Sequence, residues 1–265
     1  MSLLDVNDLT LRVPTPHGDK QILNGVSLEL DESETLALVG ESGSGKSMTA
    51  RSILRLLPRG STIGGSITFS GTELTRLEAP GMRQIRRDKI GMIFQDPRAH
   101  IDPVRTVGDF LIEGLRLRGV GRSDARKAAL AGLDAVRIPR ASEQLKAFPH
   151  ELSGGMLQRV MIASVVLAQP AVILADEPTT ALDVTSQAEV LAILDELRRE
   201  YGLAMVLITH DLDLAAAICH RTAVMSAGRI IEHGLSSQIQ NAPREEYTRR
   251  LVQDRPSLPP EVVNR

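Results

Sequence analysis

Hydrophobic positions in the first part of the chain alternate with polar ones over short runs that turn residues separate. Alternation of this kind is typical of β-strands that bury one face. The candidate strands are LTLRV at 9–13, GVSLEL at 25–30, TLALVG at 35–40 and GSITFSG at 65–71. After residue 40 the apolar residues take helical spacing until Pro58 and Gly60 end the pattern. The pattern therefore predicts short strands, with one helix between the third and the fourth.

The segment 98–150 is predicted to be mostly helical. Its apolar residues cluster at helical spacing. The two clusters are Leu111, Ile112 and Leu115, and Leu130, Leu133 and Val136. The segment holds ten Lys or Arg and six Asp or Glu, a balance of +4 (10 − 6), within a chain of net charge −2. A solvated helical face and a binding surface both explain that excess.

Beyond residue 153, helical and strand patterns alternate again. A helix is predicted over 154–168, then the apolar strands AVILA at 171–175 and AMVLI at 204–208, and a hairpin at 221–234. The helix between those two strands has one apolar face, made of Val190, Ile193, Leu194 and Leu197. Continuously apolar strands between helices indicate a parallel sheet covered on both faces. We expect one α/β body with a helical insertion. The tail after about residue 236 contains prolines 256, 259 and 260 and is expected to be loosely ordered at its end.

Composition excludes several classes of protein. Aromatic residues make up 2% of the chain and the net charge is −2, which disfavours nucleic acid as a partner. Cys219 is the only cysteine, so the chain has neither an internal disulfide nor a cysteine-rich metal site. The first residues lack a signal-peptide pattern, and the longest near-apolar run, 160–168, is too short to span a bilayer. We expect a cytoplasmic protein that does not cross a membrane by itself.

The stretch GESGSGKS at 40–47 has the spacing of a phosphate loop between a buried strand and a helix. Glycines allow a tight turn whose N–H groups point at phosphate oxygens, and the following helix adds its positive N-terminal end. Lys46 would contact the β- and γ-phosphates, and the Ser47 hydroxyl would ligate Mg²⁺. The stretch predicts a nucleoside triphosphate site.

Three further polar residues follow predicted strands. Asp176 ends a buried strand, where it could hold Mg²⁺, and Glu177 could polarise the attacking water, although DE after an apolar run also starts ordinary helices. His210 ends the strand VLIT and would emerge beside the γ-phosphate, where it could orient water; a histidine at a strand end is otherwise structural. Gln95, after IGMIF, could contact Mg²⁺ or the water through its neutral amide.

A second anion-binding pattern occurs in HELSGGMLQRV at 150–160. Ser153 is placed to cap the predicted helix, and the backbone of Ser153, Gly154 and Gly155 could approach a phosphate closely. Alone, the pattern would describe an ordinary capped helix. It lies more than a hundred residues from the loop at 40–47, which is already predicted to hold one nucleotide.

With these motifs in this order, the sequence resembles the ATP-binding subunits of ABC transporters across essentially its whole length. GESGSGKS is similar to their Walker A motif, AVILADE at 171–177 to Walker B, and LSGGM at 152–156 to the family signature. Further similarities are Gln95 with the Q-loop glutamine, Ala181, Leu182 and Asp183 with the D-loop, and His210 with the switch histidine.

The resemblance implies an α/β fold: a P-loop NTPase (RecA-like) core of the ABC ATPase type, with an antiparallel β subdomain and an inserted helical subdomain. The whole chain, 1–265, would form a single ABC ATPase domain. Its parts would be the nucleotide-binding core at 1–97 and 160–235, the helical subdomain with the signature at 98–159, and the tail at 236–265.

The resemblance also implies ATP and Mg²⁺ as cofactors. ATP would contact Gly40, Glu41, Ser42, Gly43, Ser44, Gly45, Lys46 and Ser47, together with Ser153, Gly154 and Gly155 of a facing subunit. Mg²⁺ would contact Ser47, Gln95 and Asp176, and the catalytic residues would be Glu177, His210 and Gln95. In the family an aromatic residue some two dozen positions before the loop stacks on adenine. That position here is His17, whose imidazole stacks more weakly than Tyr or Trp.

Within the family, the motifs look most like the importer subunits for dipeptides, oligopeptides and nickel. The stretch NAPREEYTRRLVQ at 241–253 is similar to the C-terminal element of that subgroup. We expect an ATPase that powers peptide import, with nickel import as the alternative. Implied partners are a second ATPase subunit (another copy or a sister subunit), two transmembrane permease subunits and, through the complex, an extracytoplasmic binding protein. Segment 98–150 is the expected docking surface at the cytoplasmic face of the membrane.

The sequence disfavours two other classes of ATP- or GTP-binding protein. A soluble ABC ATPase acting on DNA or ribosomes would be expected to carry long coiled coils, duplicated cassettes or zinc-binding cysteines. None of these features is visible in this sequence. A phosphate-loop kinase or GTPase would leave LSGGM unexplained, and no guanine-specifying N-K-x-D stretch occurs. Both rivals therefore rank below the transporter hypothesis.

Overall fold

The computed structural model describes residues 2–180 and 182–253, so Ala181 and the tail prolines lie outside the described residues. The strands are β1 Leu4–Thr15, β2 Gly18–Leu30, β3 Thr35–Val39, β4 Thr62–Phe69, β5 Thr72–Glu73, β6 Ile90–Ile93, β7 Val172–Asp176, β8 Ala204–Thr209, β9 Arg221–Ser226 and β10 Arg229–Leu235. The α-helices are α1 Lys46–Ile53, α2 Ala79–Asp88, α3 Val107–Leu117, α4 Arg122–Ala135, α5 Ala141–Gln144, α6 Gly154–Val166, α7 Val184–Tyr201, α8 Leu212–Ile218, α9 Ser236–Asn241 and α10 Glu246–Gln253. Two short 3₁₀ turns lie at Pro97–Ala99 and Pro149–Glu151.

A six-stranded sheet in the order β10-β9-β3-β8-β7-β6 forms the centre of the fold. Neighbouring strands from β9 to β6 pair in parallel, and β10 joins at the edge as the antiparallel partner of β9. Every residue of β3, β7 and β8 is buried. The expectation of a covered parallel sheet is confirmed, since strands with apolar side chains on both faces must be packed on both sides.

A smaller antiparallel sheet has the order β2-β1-β4-β5. Its first two strands are much longer than the predicted runs at 9–13 and 25–30. β1 already pairs with β2 from Leu4, and the polar ends of both strands continue the hairpin ladder to the turn at residues 16–17. The strand-rich beginning of the chain therefore forms the expected antiparallel subdomain, which packs against the central sheet.

The predicted helical insertion is confirmed as α3, α4 and α5. The predicted apolar residues Leu111, Leu115, Leu133 and Val136 are buried between these helices and α6. Helix α6 runs without interruption across residues 159 and 160, where the proposed boundary between subdomain and core falls. One hydrophobic cluster includes residues of α3 and α4 as well as of the central sheet, so the helical part shares its core with the sheet.

The connections after β3, β7 and β8 meet at one edge of the central sheet. Because these strands are parallel, their carboxyl ends point the same way, and α/β proteins place ligand sites at such an edge. The phosphate loop follows β3, Asp176 ends β7, and His210 follows β8. The fold thus brings three separate sequence motifs together.

None of the helices in the described part of the chain is both long and apolar enough to cross a membrane.

Candidate nucleotide site

The loop at 40–47 wraps around the buried side chain of Lys46. The Lys46 ammonium donates to the carbonyl oxygens of Gly40 at 2.7 Å and Glu41 at 2.9 Å, and the residue is 4% exposed. Burial lowers the pKa of Lys46, while the carboxylates of Glu177, Asp176 and Glu41 oppose that shift. The backbone carbonyl groups of the loop therefore fix the Lys46 side chain inside the loop.

The turn between β9 and β10 supports the loop from behind. The Gly228 amide donates to the Ser44 carbonyl at 2.9 Å. A Cβ atom on Gly40 would lie 2.2 Å from the Met225 carbonyl oxygen, and one on Gly45 would lie 2.8 Å from Leu23 Cδ2. Glycine is needed at both positions because the backbone of the loop lies directly against these residues.

The concave side of the loop fits a phosphate group. Gly43 and Gly45 have φ angles of +81° and +109°, which glycine adopts readily and other residues rarely do. The Ser44 hydroxyl is buried and has no hydrogen-bond partner among the described residues. An unsatisfied buried hydroxyl is costly, and a phosphate oxygen in the loop would satisfy it.

Ser47 and Asp176 join the phosphate loop to the end of β7. The Ser47 hydroxyl donates to Asp176 Oδ1 at 2.7 Å, and Asp176 is 2% exposed. Burial raises the pKa of Asp176, against the opposing effects of the Ser47 hydrogen bond and the positive charge of Arg51. The described residues contain no cluster of three or more His, Cys, Asp or Glu that could enclose a metal. A cation between these two oxygens would need phosphate and water as its other ligands, which is the coordination typical of Mg²⁺.

Glu177 is held in a strained conformation by several contacts. Its φ angle is +44°, a value costly for a residue with a side chain, and its amide donates to the Ile208 carbonyl at 3.0 Å. Glu177 Oε2 accepts hydrogen bonds from Gln95 Nε2 at 3.1 Å and from the Thr180 hydroxyl at 2.7 Å. His210 Nδ1 lies 3.9 Å from Glu177 Oε1. Two hydrogen bonds therefore fix the carboxylate through Oε2, and the His210 imidazole lies near the other oxygen.

These elements border one open cavity of about 700 Å³. The predicted site residues that line it are Ser42, Gly43, Gly45, Lys46, Ser47, Gln95, Glu177 and His210. Gly40, Glu41, Ser44 and Asp176 lie in the walls behind these residues, through the contacts described above. The cavity also includes Lys20, Ile22, Met48 and Thr180, which sequence reasoning missed. Thr180 could have been found from its position three residues after Glu177, whereas Lys20 and Ile22 reach the cavity only through packing of the two sheets.

His17 lies at the exposed tip of the β1–β2 hairpin, where its amide donates to the Thr15 hydroxyl at 3.3 Å. It is not among the residues that line the cavity, although Lys20 and Ile22 of the following strand are. Stacking of His17 on adenine stays a prediction.

Ser153, Gly154 and Gly155 do not line this cavity. The predicted cap is confirmed, since the Ser153 hydroxyl accepts from the Met156 amide at 3.2 Å at the start of α6. A Cβ atom on Gly154 would have Leu182 as its nearest neighbour, at 3.8 Å, and one on Gly155 would have Ser186 at 3.5 Å. The LSGG stretch therefore lies beside the segment that follows Ala181, away from the phosphate loop of its own chain.

A phosphate loop at the carboxyl edge of a parallel sheet, faced by a fixed carboxylate pair, defines a phosphate-loop nucleoside triphosphatase. Residues 23–180 match the family model described as "ABC transporter". The oligopeptide transport ATP-binding protein OppD of Salmonella typhimurium is 45% identical over 97% of this chain and 77% of that protein. OppD of Bacillus subtilis is 43% identical over 97% of this chain and 72% of that protein. The chain belongs to the ABC transporter ATPase family, and it is an ATP-binding and ATP-hydrolysing subunit.

Comparison with solved structures gives the same family. The ATP-binding cassette MJ0796, a dimer bound to ADP and Pi in a post-hydrolysis state, superposes with a TM-score of 0.79 at 28% identity, covering 88% of this chain and 98% of that one. The cbiO1 protein of Clostridium perfringens, part of the ABC transporter complex cbiONQ, gives a TM-score of 0.76 at 27% identity, covering 90% of each chain. The fold expected from the sequence is confirmed.

The support behind the phosphate loop can be tested at Gly228. Its φ angle is +76°, and an added Cβ would lie 2.3 Å from the Ile22 carbonyl oxygen. We expect Gly228→Ala to shift the turn away from Ser44, to weaken nucleotide binding and to lower the free energy of unfolding by more than the roughly 1–2 kcal/mol of a left-handed alanine. Calorimetric titration with ADP and chemical denaturation measure the two effects.

Gly71→Ala is the matched control, because Gly71 has a φ angle of +78° and no atom within 4 Å of the added Cβ. This variant should show the cost of the backbone conformation alone, with unchanged affinity for ADP. If both variants bound ADP as the wild type does, the β9–β10 turn would not support the loop.

Proposed function

We propose that this protein hydrolyses ATP to power the import of peptides, with oligopeptides as the cargo. The observation that carries the proposal is the intact site around Glu177, whose carboxylate is fixed beside the phosphate loop by Gln95 and Thr180. The choice of cargo is supported by the similarity to OppD over 97% of the chain, since the matched relatives are named for oligopeptide transport.

In the proposed reaction, Lys46 and the backbone of the loop hold the β- and γ-phosphates. Ser47 and Asp176, with Gln95 opposite, would hold Mg²⁺, which supplies charge neutralisation on the phosphate oxygens when bound. Glu177 acts as the general base that polarises the attacking water, and His210 orients that water and the γ-phosphate. Thr180 adds a hydrogen bond that keeps the Glu177 carboxylate in place. These roles fit the observed geometry, in which Glu177 lines the cavity and Asp176 lies behind Ser47 in its wall.

We further propose that the nucleotide site is completed by a second ATPase subunit. The LSGG backbone of Ser153, Gly154 and Gly155 has the donors for a phosphate but lies away from the cavity of its own chain. Head-to-tail pairing would place it over the γ-phosphate of the facing subunit. The dimeric state of MJ0796 supports this arrangement. The partner is either a second copy or a sister subunit, and loss of γ-phosphate contacts after hydrolysis would reopen the pair.

The helical insertion at 98–150 is the proposed docking surface for a transmembrane permease subunit. It carries the local charge balance of +4 (10 − 6 over 98–150) and three exposed apolar side chains. These are Val104, Leu117 and Phe148, and Val104 is 78% exposed. Exposed apolar groups inside a charged surface are typical of protein interfaces. In this arrangement the protein lies at the cytoplasmic face of the membrane, and an extracytoplasmic binding protein delivers the cargo to the permeases.

Replacing Glu177 by Gln tests its role as the base. Glutamine keeps the size of the side chain but cannot accept the proton, so we expect kcat to fall by about 10²- to 10⁴-fold. ATP-dependent pairing of subunits should persist, because the phosphate contacts are unchanged. Turnover assays and sedimentation with ATP measure both properties. Turnover close to that of the wild type would remove Glu177 as the base.

Transport can be tested by deleting the gene in its host and restoring it on a plasmid. We expect the deletion to abolish growth of an amino-acid auxotroph on an oligopeptide that supplies the missing residue. Wild type should restore growth and Glu177→Gln should not, because import requires turnover. Nickel accumulation in the same strains separates the alternative cargo. Unchanged growth on peptides together with lost nickel uptake would replace the peptide proposal with the nickel one.

A further inference from the structure

The C-terminal helix α10 contacts the phosphate loop through one side chain. The Glu41 amide donates to the hydroxyl of Tyr247 at 3.2 Å. Tyr247 belongs to the stretch NAPREEYTRRLVQ, and the chemistry proposed above gives this residue no role. A contact between the last helix of the described residues and the first nucleotide-binding motif needs a separate explanation.

The contact acts on the peptide group between Gly40 and Glu41. The carbonyl of this group accepts a hydrogen bond from the Lys46 ammonium at 2.7 Å, and its N–H donates to Tyr247. Because a peptide group is planar, fixing the direction of its N–H also fixes the direction of its carbonyl. Tyr247 is thereby linked to the Lys46 ammonium through one rigid group.

Helix α10 is anchored to the rest of the fold, so the Tyr247 hydroxyl has a defined position. The Glu232 carboxylate, on β10, accepts hydrogen bonds from the amides of Arg244 at 2.7 Å and Glu245 at 3.1 Å, just before the helix begins. A carboxylate at that end of a helix is stabilised by the helix dipole. Tyr247, Leu251 and Val252 pack against the larger hydrophobic cluster of the core.

We propose that Tyr247 is a positioning residue for the phosphate loop, and that docking of α10 and binding of nucleotide therefore strengthen each other. The coupling is reciprocal. If docked α10 stabilises the state of the loop that binds nucleotide, then bound nucleotide must stabilise the docking of α10 by the same free energy. A partner that displaced α10 would lower nucleotide affinity without touching the nucleotide. The inference rests on the proposed function only in taking this loop as the nucleotide site.

The test uses Tyr247→Phe, which removes the hydroxyl and keeps the ring. Tyr201→Phe is the matched control, because Tyr201 is the other tyrosine of the chain and lies exposed at the end of α7. Calorimetric titration with Mg·ADP should show Kd for Tyr247→Phe raised about three- to tenfold, the effect of one hydrogen bond. KM for ATP should rise by more than kcat falls. The control should match the wild type in both measurements.

Thermal unfolding separates positioning from general stabilisation. Without nucleotide, Tyr247→Phe should unfold close to the wild-type temperature, because Glu41 is an exposed residue whose amide can bond water instead. With ADP, the rise in unfolding temperature should be smaller than in the wild type. An unchanged Kd would overturn the inference, whether or not the unfolding temperature fell. A wild-type protein that bound no Mg·ADP would instead overturn the nucleotide site itself.

Discussion

A phosphate loop must point its N–H groups inward, so its carbonyl groups need donors from elsewhere, and this requirement shapes the whole site. Lys46 satisfies the carbonyls of Gly40 and Glu41, and the β9–β10 turn satisfies that of Ser44 through the Gly228 amide. The central sheet places both donors, because α1 follows β3 through the phosphate loop and β9 is the parallel neighbour of β3. The close glycine contacts are consequences of the same requirement, since a loop supported from behind leaves no room for side chains.

The carboxylates depend on this support as well. Asp176 is buried at the end of β7 and is reached by the Ser47 hydroxyl only because α1 begins at Lys46. Glu177 comes one residue later, and its left-handed backbone turns the side chain toward Gln95 and Thr180. The positive charge of Lys46 therefore lies close enough to both carboxylates to interact with them, and Glu177 lines the same cavity as Lys46. A strained residue at this position is consistent with a site that is preorganised before substrate binds.

Sequence reasoning located the parallel strands, the helical insertion and the loop, because each has a local pattern: continuous apolar runs, helical spacing and a fixed motif. It missed α2, whose sequence APGMRQIRRD buries only Met82 and thus has almost no apolar pattern. It also missed Lys20 and Ile22, which enter the cavity through packing between two sheets. The contact from Tyr247 to Glu41 joins residues 206 positions apart, and no local signal encodes such a distance. Motifs identified the chemistry, and tertiary packing supplied the residues that position it.

The LSGG stretch is proposed to complete the nucleotide site of the facing subunit, and complementation between two variants of this chain tests that proposal directly. Gly154→Asp should put a charge against the partner's phosphate while fitting its own chain, where the nearest atom to the new Cβ is 3.8 Å away. Lys46→Ala disables the phosphate loop and leaves LSGG intact. Each variant alone should be inactive, and ATPase activity should return when they are mixed, because random pairing restores roughly one site in four. Where the wild-type chain by itself hydrolyses ATP, a mixture as inactive as its components, with both variants folded, would contradict the account.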